Sequence, residues 1–343
     1  MRHPVSTGRL RAERRAAPKP ARIPSGDRPT YSSAEGLTFH AGEIAVQQRA
    51  GVREQVDAFG GRMIRDAMPQ QHRDFFPKLP TLLVGSVDGQ GRPWASMLAG
   101  RPGFMHSPDE RQLRVDTLPD DADPLARQLQ IGAAIGLLGI EPHTRRRNRM
   151  NGHIVALDGV GFAVAVEQSF GNCPQYIQRR DYGRRRTPTF PEAEPLAFGD
   201  AWAMRLIAAA DTAFVASSTP PGTAQSGGGV DVSHRGGRPG FIRAAEDGAF
   251  EIPDYRGNRY FNTLGNLLAY PRAGLLIVDF ASGDVLQITG AAEIVWDGPG
   301  PGAAPAAERL WRLKPVRMLR LRGAFPFEFG SPEFSPLLAA TAS

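Results

Sequence analysis

Two arginine-rich stretches carry the residue types and spacings best suited to chemistry in this chain of 343 residues. The first is DYRGNRYFNTLGN, residues 254–266. Gly257 permits a sharp turn. The residues RYFNTLGNLL behind it suit a short helix, whose first N–H groups favour an anion. Arg256 and Arg259 can grip phosphate oxygens in bidentate fashion. Asn258, Asn262, Thr263 and Asn266 add neutral hydrogen-bonding groups. The plain alternative is a solvated helix start with ordinary caps. The second stretch is RRRNRMNG, Arg145–Gly152. As a strand it puts Arg145, Arg147 and Arg149 on one face and Arg146, Asn148 and Met150 on the other. A basic edge strand that blocks aggregation is its plain reading. Yet four arginines in five residues repel one another unless they are counter-charged.

Other chemistry is sparse. No cluster of His, Cys and carboxylates has metal-ligand spacing, and no side chain stands out as a nucleophile. The one cysteine, Cys173 in SFGNCPQY, excludes an intramolecular disulfide and fits a reducing, cytoplasmic setting. A lone cysteine reads first as a small buried hydrophobe. His234 is open between a proton donor and a structural or phosphate-contacting group. His143 reads as a loop residue.

The elements that must position these residues come twice. RPGF stands at 101–104 and again at 238–241, an offset of 137. GLL recurs at 136–138 and 274–276, an offset of 138. TLLVGS (81–86) and TAFVASS (212–218) each open an apolar strand. Helix-like segments precede both, RMIRDAMPQQHRDFF and FGDAWAMRLIAAAD. The first turn is short in one copy (DGQG, 88–91) and long in the other (219–229), as an insertion at a surface loop would be. The spacing predicts an internal duplication, with a linker by composition at 183–195. At the 138 offset, Asp120 and Asp121 fall opposite Asn258 and Arg259. One copy is thus expected to repel an anion where the other holds it. The arginine strand has no arginine in its second-copy equivalent, GDVLQITG, so the copies look specialised.

Charge supports the same division of labour. Residues 1–30 hold eight basic and two acidic groups, equal to the whole net charge of +6. This Pro-rich segment buries too little to fold and reads as a disordered basic tail over 1–38. A transit peptide or a polyanion-binding arm is the alternative. Nucleic acid is therefore not the expected partner of the folded part. No apolar run reaches the roughly 18 residues of a membrane span.

The stretches DVSHRGGRPGF, IPDYRGNRYFNTLGNLLAYPRAGLLIVDF and LQITGAAEIVW resemble the FMN-binding split barrels related to pyridoxamine 5′-phosphate oxidase. The first copy resembles a tandem subgroup of that family through HAGE, QQHRDFFPKLPTLLVGSVDGQGRPWASMLAGRPGF and GLLGIEPHTRRRNRMNG. The resemblance covers roughly residues 40–297. It implies a β-rich α+β fold of two tandem six-stranded split barrels with flanking helices, packed as an internal pseudo-dimer. The copies would span 39–185 and 186–325, with a C-terminal tail over 326–343. It implies FMN between the copies and an oxidoreductase acting on a small molecule. A non-catalytic binder of flavin, haem, FAD or the deazaflavin F420 is the alternative. The implied cradle is Arg256, Asn258, Arg259, Asn262 and Thr263, with Asn266 nearby. Ser233, His234 and Arg235 would lie near the phosphate or ring. Arg147, Asn148 and Arg149 would reach across from the other copy. Arg149 would favour an anionic reduced flavin, His234 is the candidate proton donor, and Cys173 could lie near the flavin. NAD(P)H or a separate reductase would supply electrons, and a homodimer of tandem chains is open. RGNR departs from the Ser-Arg-Lys pattern of the true oxidases, so pyridoxamine phosphate is not the implied substrate.

Overall fold

A computed structural model describes residues 38–186, 192–223, 227–296 and 306–338. The expected basic tail lies outside these except for Thr38. Residues 37–343 form one unit, β-rich and built on antiparallel sheets. Three helices lead in: α1 (Ala41–Arg49), α2 (Arg53–Met63) and α3 (Gln70–Arg73). His40 and Glu43 cap α1 reciprocally, which satisfies two of its free N–H groups. The helix expected over 62–76 is not continuous. Pro69 disfavours helical geometry at Met68, and Arg65 instead pairs with Ser169 as an isolated bridge.

Seven strands follow: β1 (Thr81–Val87), β2 (Pro93–Ala99), β3 (Met105–Asp109), β4 (Gln112–Val115), β5 (Ala134–Glu141), β6 (Arg146–Leu157) and β7 (Phe162–Gly171). They pair in the order β2-β1-β5-β6-β7-β4-β3. Then come β8 (Tyr182–Arg185), β9 (Ala193–Pro195) and α4 (Ala201–Ala209), the last capped by Asp200. The second set is β10 (Thr212–Ser218), β11 (Val230–Gly236), β12 (Arg243–Ala244), β13 (Phe250–Tyr255), α5 (Asn262–Ala269), β14 (Arg272–Val278), β15 (Val285–Val295) and β16 (Ala307–Leu321). Its order, β11-β10-β14-β15-β16-β13-β12, repeats the first strand for strand. Each set has seven strands rather than the expected six, because RPGF leads into a two-strand hairpin, not a single strand. Among the described residues neither sheet closes on itself by strand pairing.

The sets agree in detail. The register slips at Asn151/Gly152 between β6 and β7, and at Thr289/Gly290 between β15 and β16. RPGF makes the same turn twice, with Gly103 at φ 97° and Gly240 at φ 88°, which a side chain would strain. Phe104 and Phe241 are each 7% exposed and anchor the turn in their own cores. The two sets also pack reciprocally. A Cβ on Gly136 of β5 would meet Asp231 Cα at 2.8 Å on β11. A Cβ on Gly274 of β14 would meet Trp94 Cα at 2.8 Å on β2. Only glycine lets the backbones approach so closely.

Two segments differ from the sequence reading. The supposed linker is partly strand: β8 pairs with β17 (Phe327–Phe329), and β9 pairs with β16; residues 187–191 lie outside the described set. The stretch read as a C-terminal tail buries Phe327 in an apolar cluster with Phe325. Pairing with a strand distant in the chain, not local composition, decides both cases. Among the described residues no helix is long and apolar enough to cross a membrane.

Candidate functional site

One polar cavity, with about 790 Å³ of space partly open to solvent, draws its walls from both sets of strands. From the first set, β6 presents Arg147 and Arg149 on one face. Alternation turns Met150 into the first core and lays Arg146 over the Phe75 ring, 4.8 Å from its centroid. Arg145 departs from the expected face. It sits at φ 59° before the strand and pairs with Glu333 at 2.9 Å. From the second set, β11 brings Ser233, His234 and Arg235, and the turn after β13 brings Asn258 and Arg259. That turn holds left-handed backbone at Arg259 (φ 62°) and Phe261 (φ 61°), so α5 begins abruptly at Asn262 and Thr263.

The cations are held by carboxylates in part. Arg149 Nη1 lies 3.0 Å from Asp231 and also donates to Asn262 Oδ1 at 3.0 Å. Arg235 pairs with Asp254 at 3.0 Å, and Arg259 with Glu308 at 3.7 Å. Arg309 behind them contacts Asp254 at 3.7 Å and Glu308 at 2.6 Å. Among the described residues Arg147 has no carboxylate; its Nε donates to the Cys173 carbonyl at 2.8 Å. Five guanidinium groups therefore face three carboxylates. Burial and the neighbouring Arg149 bring Arg147 down to about 9, which still leaves it charged at neutral pH. Glu43, whose carboxylate accepts from Asn262 Nδ2, is pushed up to about 8 by burial and is mostly neutral there. The cavity carries a positive excess.

It also carries unsatisfied groups. Arg149 Nε, Arg235 Nε, Asn172 Nδ2 and both ring nitrogens of His234 are buried without a protein partner. Burial, Arg147, Arg235 and Arg180 hold the His234 imidazole well below its usual range, so it is neutral. Leaving a buried donor unpaired costs about 1–3 kcal/mol, more when it is charged. Several such groups facing one cavity suit an anionic oxygen-rich ligand.

Of the sequence-derived candidates, Arg147, Arg149, Ser233, His234, Arg235, Asn258, Arg259, Asn262 and Thr263 line this cavity. Arg256, Asn148 and Asn266 do not. Arg256 is exposed and offers its carbonyl to the Tyr176 hydroxyl at 3.2 Å. Asn148 is buried with Nδ2 unpartnered. Asn266 Nδ2 reaches back to Ser217 at 3.1 Å. Sequence reading missed Asn172, Gln175 and Tyr176, which come from the loop after β7, and the buried partner Asp231. Tyr176 and Tyr255 form a pair 5.1 Å apart at the cavity edge. Nothing in their local pattern marks them. Cys173 lines the cavity and is only partly buried, not the buried hydrophobe its type suggests. His143 stays an exposed loop residue beside Glu141 at 3.8 Å. No group of metal-ligating side chains occurs among the described residues.

No family model and no curated protein matches the chain. Among solved structures, HupZ from Group A Streptococcus aligns at 15% identity over 37% of this chain and 97% of its own, with a TM-score of 0.28. The K. pneumonia MrkH–c-di-GMP complex aligns at 10% identity over 76% of this chain and 87% of its own, with a TM-score of 0.22. Similarities this weak carry no argument about fold or ligand.

Proposed function

We propose that the chain is a tandem pair of split barrels, packed as an internal pseudo-dimer, that binds one FMN in the polar cavity and works as an oxidoreductase on a small molecule. The duplication reading draws on the shared strand order, the shared register slips and the reciprocal glycine contacts. The cofactor reading rests on one observation above the others. Guanidinium groups in excess of carboxylates, with buried N–H groups unpartnered, converge on a cavity that neither set of strands builds alone. An excess of about two positive charges matches a phosphate monoester.

Within that reading Arg259, Arg235 and the first amides of α5 hold the phosphate, with Thr263 and Asn258 beside them. Arg147 and Arg149 supply positive potential from across the cavity. Asp231 and Asn262 fix Arg149 in place. FMN, when bound, supplies the electron-transfer chemistry. His234, neutral and unpartnered, offers one ring N–H to donate a hydrogen bond and one ring nitrogen to accept one. No side-chain nucleophile is required. NAD(P)H or a separate reductase is the proposed electron source.

The test is spectroscopic. Purified chain should absorb as a flavoprotein or take up added FMN, quenching its fluorescence at a 1:1 end point. Protein that stays colourless and does not quench FMN sinks the reading. A Soret band in place of flavin bands would replace it with haem binding through His234.

A further inference from the structure

On the far side of His234 the two sets of strands line a second cavity, nearly all apolar, with about 450 Å³ of space partly open to solvent. Its walls come in matched pairs. Leu83 on β1 corresponds to Phe214 on β10, and Ile140 on β5 to Val278 on β14. At one rung the match breaks. Met97 on β2 faces Leu83, whereas His234 on β11 faces Phe214. His234 is 6% exposed and lines both cavities.

The other polar groups here already have partners. Arg180 is bound to Asp211 at 2.6 Å and lies over the Phe280 ring at 4.3 Å. The Tyr182 hydroxyl meets Thr81 at 2.9 Å. Gln178 donates to the Gly237 carbonyl at 3.1 Å and accepts from Ser335 N at 2.9 Å. Phe280, Phe325 and Phe329 pack on one another at 5.3–5.8 Å. What remains is an aromatic-walled space with one unsatisfied imidazole and no uncompensated charge.

We infer that this cavity binds a neutral aromatic small molecule bearing one hydrogen-bonding group that meets His234. Ring walls favour a flat ligand through offset and edge-on contacts. A charged ligand would lose its hydration and find no free counter-ion. A neutral imidazole offers one donor and one acceptor, so a hydroxyl or a carbonyl suits it equally. The inference does not depend on what fills the polar cavity.

The full chain is titrated with 2-naphthol, followed by its fluorescence and by heat, with 2-naphthoate as the charged comparator at pH 7.5. Saturable 1:1 binding of naphthol is expected, at least tenfold tighter than naphthoate. Met97→Trp should fill the space and weaken naphthol at least tenfold with circular dichroism unchanged. Phe280→Ser provides a second variant should the first not fold. His234→Phe should abolish the preference for naphthol over naphthalene while keeping naphthalene bound. Absence of saturation with folded protein, equal binding of naphthoate, or unaltered affinity in a folded wall variant would each overturn the inference. An FMN titration on the same sample separates the two sites: naphthol binding without FMN binding removes the flavin reading alone.

Discussion

The place in the first set of strands that corresponds to the polar cavity is closed by protein side chains. In the second set, Ser233 meets Thr263 at 2.8 Å beside Arg149, which arrives from β6. In the first set, Ser96 meets Asp123 at 2.5 Å beside Gln287, which arrives from β15, the counterpart of β6. Gln287 Nε2 donates to Asp123 at 3.2 Å, to Ser96 at 3.1 Å and to the Ala95 carbonyl at 2.9 Å. Even the supports correspond: Asn266 reaches Ser217 in one, and Ser86 donates to Gln128 in the other. The frame is common; the charges are not. A carboxyl group stands where the other half offers a hydroxyl, and an amide where it offers a guanidinium. One place can receive an anion, and its counterpart has supplied one internally.

The comparison breaks most visibly if Arg149 is made like its counterpart. Arg149→Gln should lower FMN affinity more than a hundredfold and destabilise the fold by about 3–5 kcal/mol, because buried Asp231 keeps its Asn151 hydrogen bond but loses its counter-charge. Calorimetry and flavin titration on that variant check both effects. Next come the contacts that hold the halves together. Gly136→Ala and Gly274→Ala should each cost about 2 kcal/mol or more in denaturant unfolding, because the new methyl meets backbone. Unequal costs would show that the packing is not reciprocal. Arg259→Ala should weaken FMN by roughly ten- to a hundredfold, the value of a charged hydrogen bond or two, whereas exposed Asp121→Ala should leave it unchanged. Stoichiometry sharpens the contrast further: one flavin per chain is expected, and two would mean that the Asp123 side opens.

The smallest effect is a pH dependence. Glu43, raised by burial to about 8 from 4.5, keeps a proton in the folded chain that the unfolded chain has released. Its contribution is full below 4.5 and is lost as pH rises through 8. Asp123, raised to about 6 by burial, acts in the same sense at lower pH. His40, lowered to about 4 by burial, acts in the opposite sense below 6.5. Between pH 6.5 and 8.5 Glu43 dominates this set, so Tm should fall by roughly 2–4 °C per kcal/mol lost. Glu43→Gln should flatten that slope.

Much of the frame was legible because it is local. Strand-length apolar runs, turn glycines and the repeated RPGF depend on near neighbours, and the offset of 137–138 carries over to the strand order. The arginine strand and the 254–266 turn were found because their residue types are unusual at close spacing. Other expectations failed where local pattern met long-range packing. The helix over 62–76 ignored Pro69. The segments at 183–195 and 326–343 looked like linker and tail because three-residue strands show no period. The carboxyl opposing the cradle was placed at Asp120 and Asp121, but Asp120 caps its own turn by accepting from Ala122 N, and Asp121 is exposed.

The sequence by itself determined the doubled frame and the clustering of arginines in two short stretches. Those follow from residue type and order alone. Tertiary structure decided which arginines share a cavity, that Asp231 and Asn262 hold Arg149, and that His234 is the wall between two sites. The contacts of Arg149 depend on residues 82 and 113 positions away meeting it in space. Burial then sets the charge of Glu43, His234 and Asp123, because removing water penalises whichever form is charged.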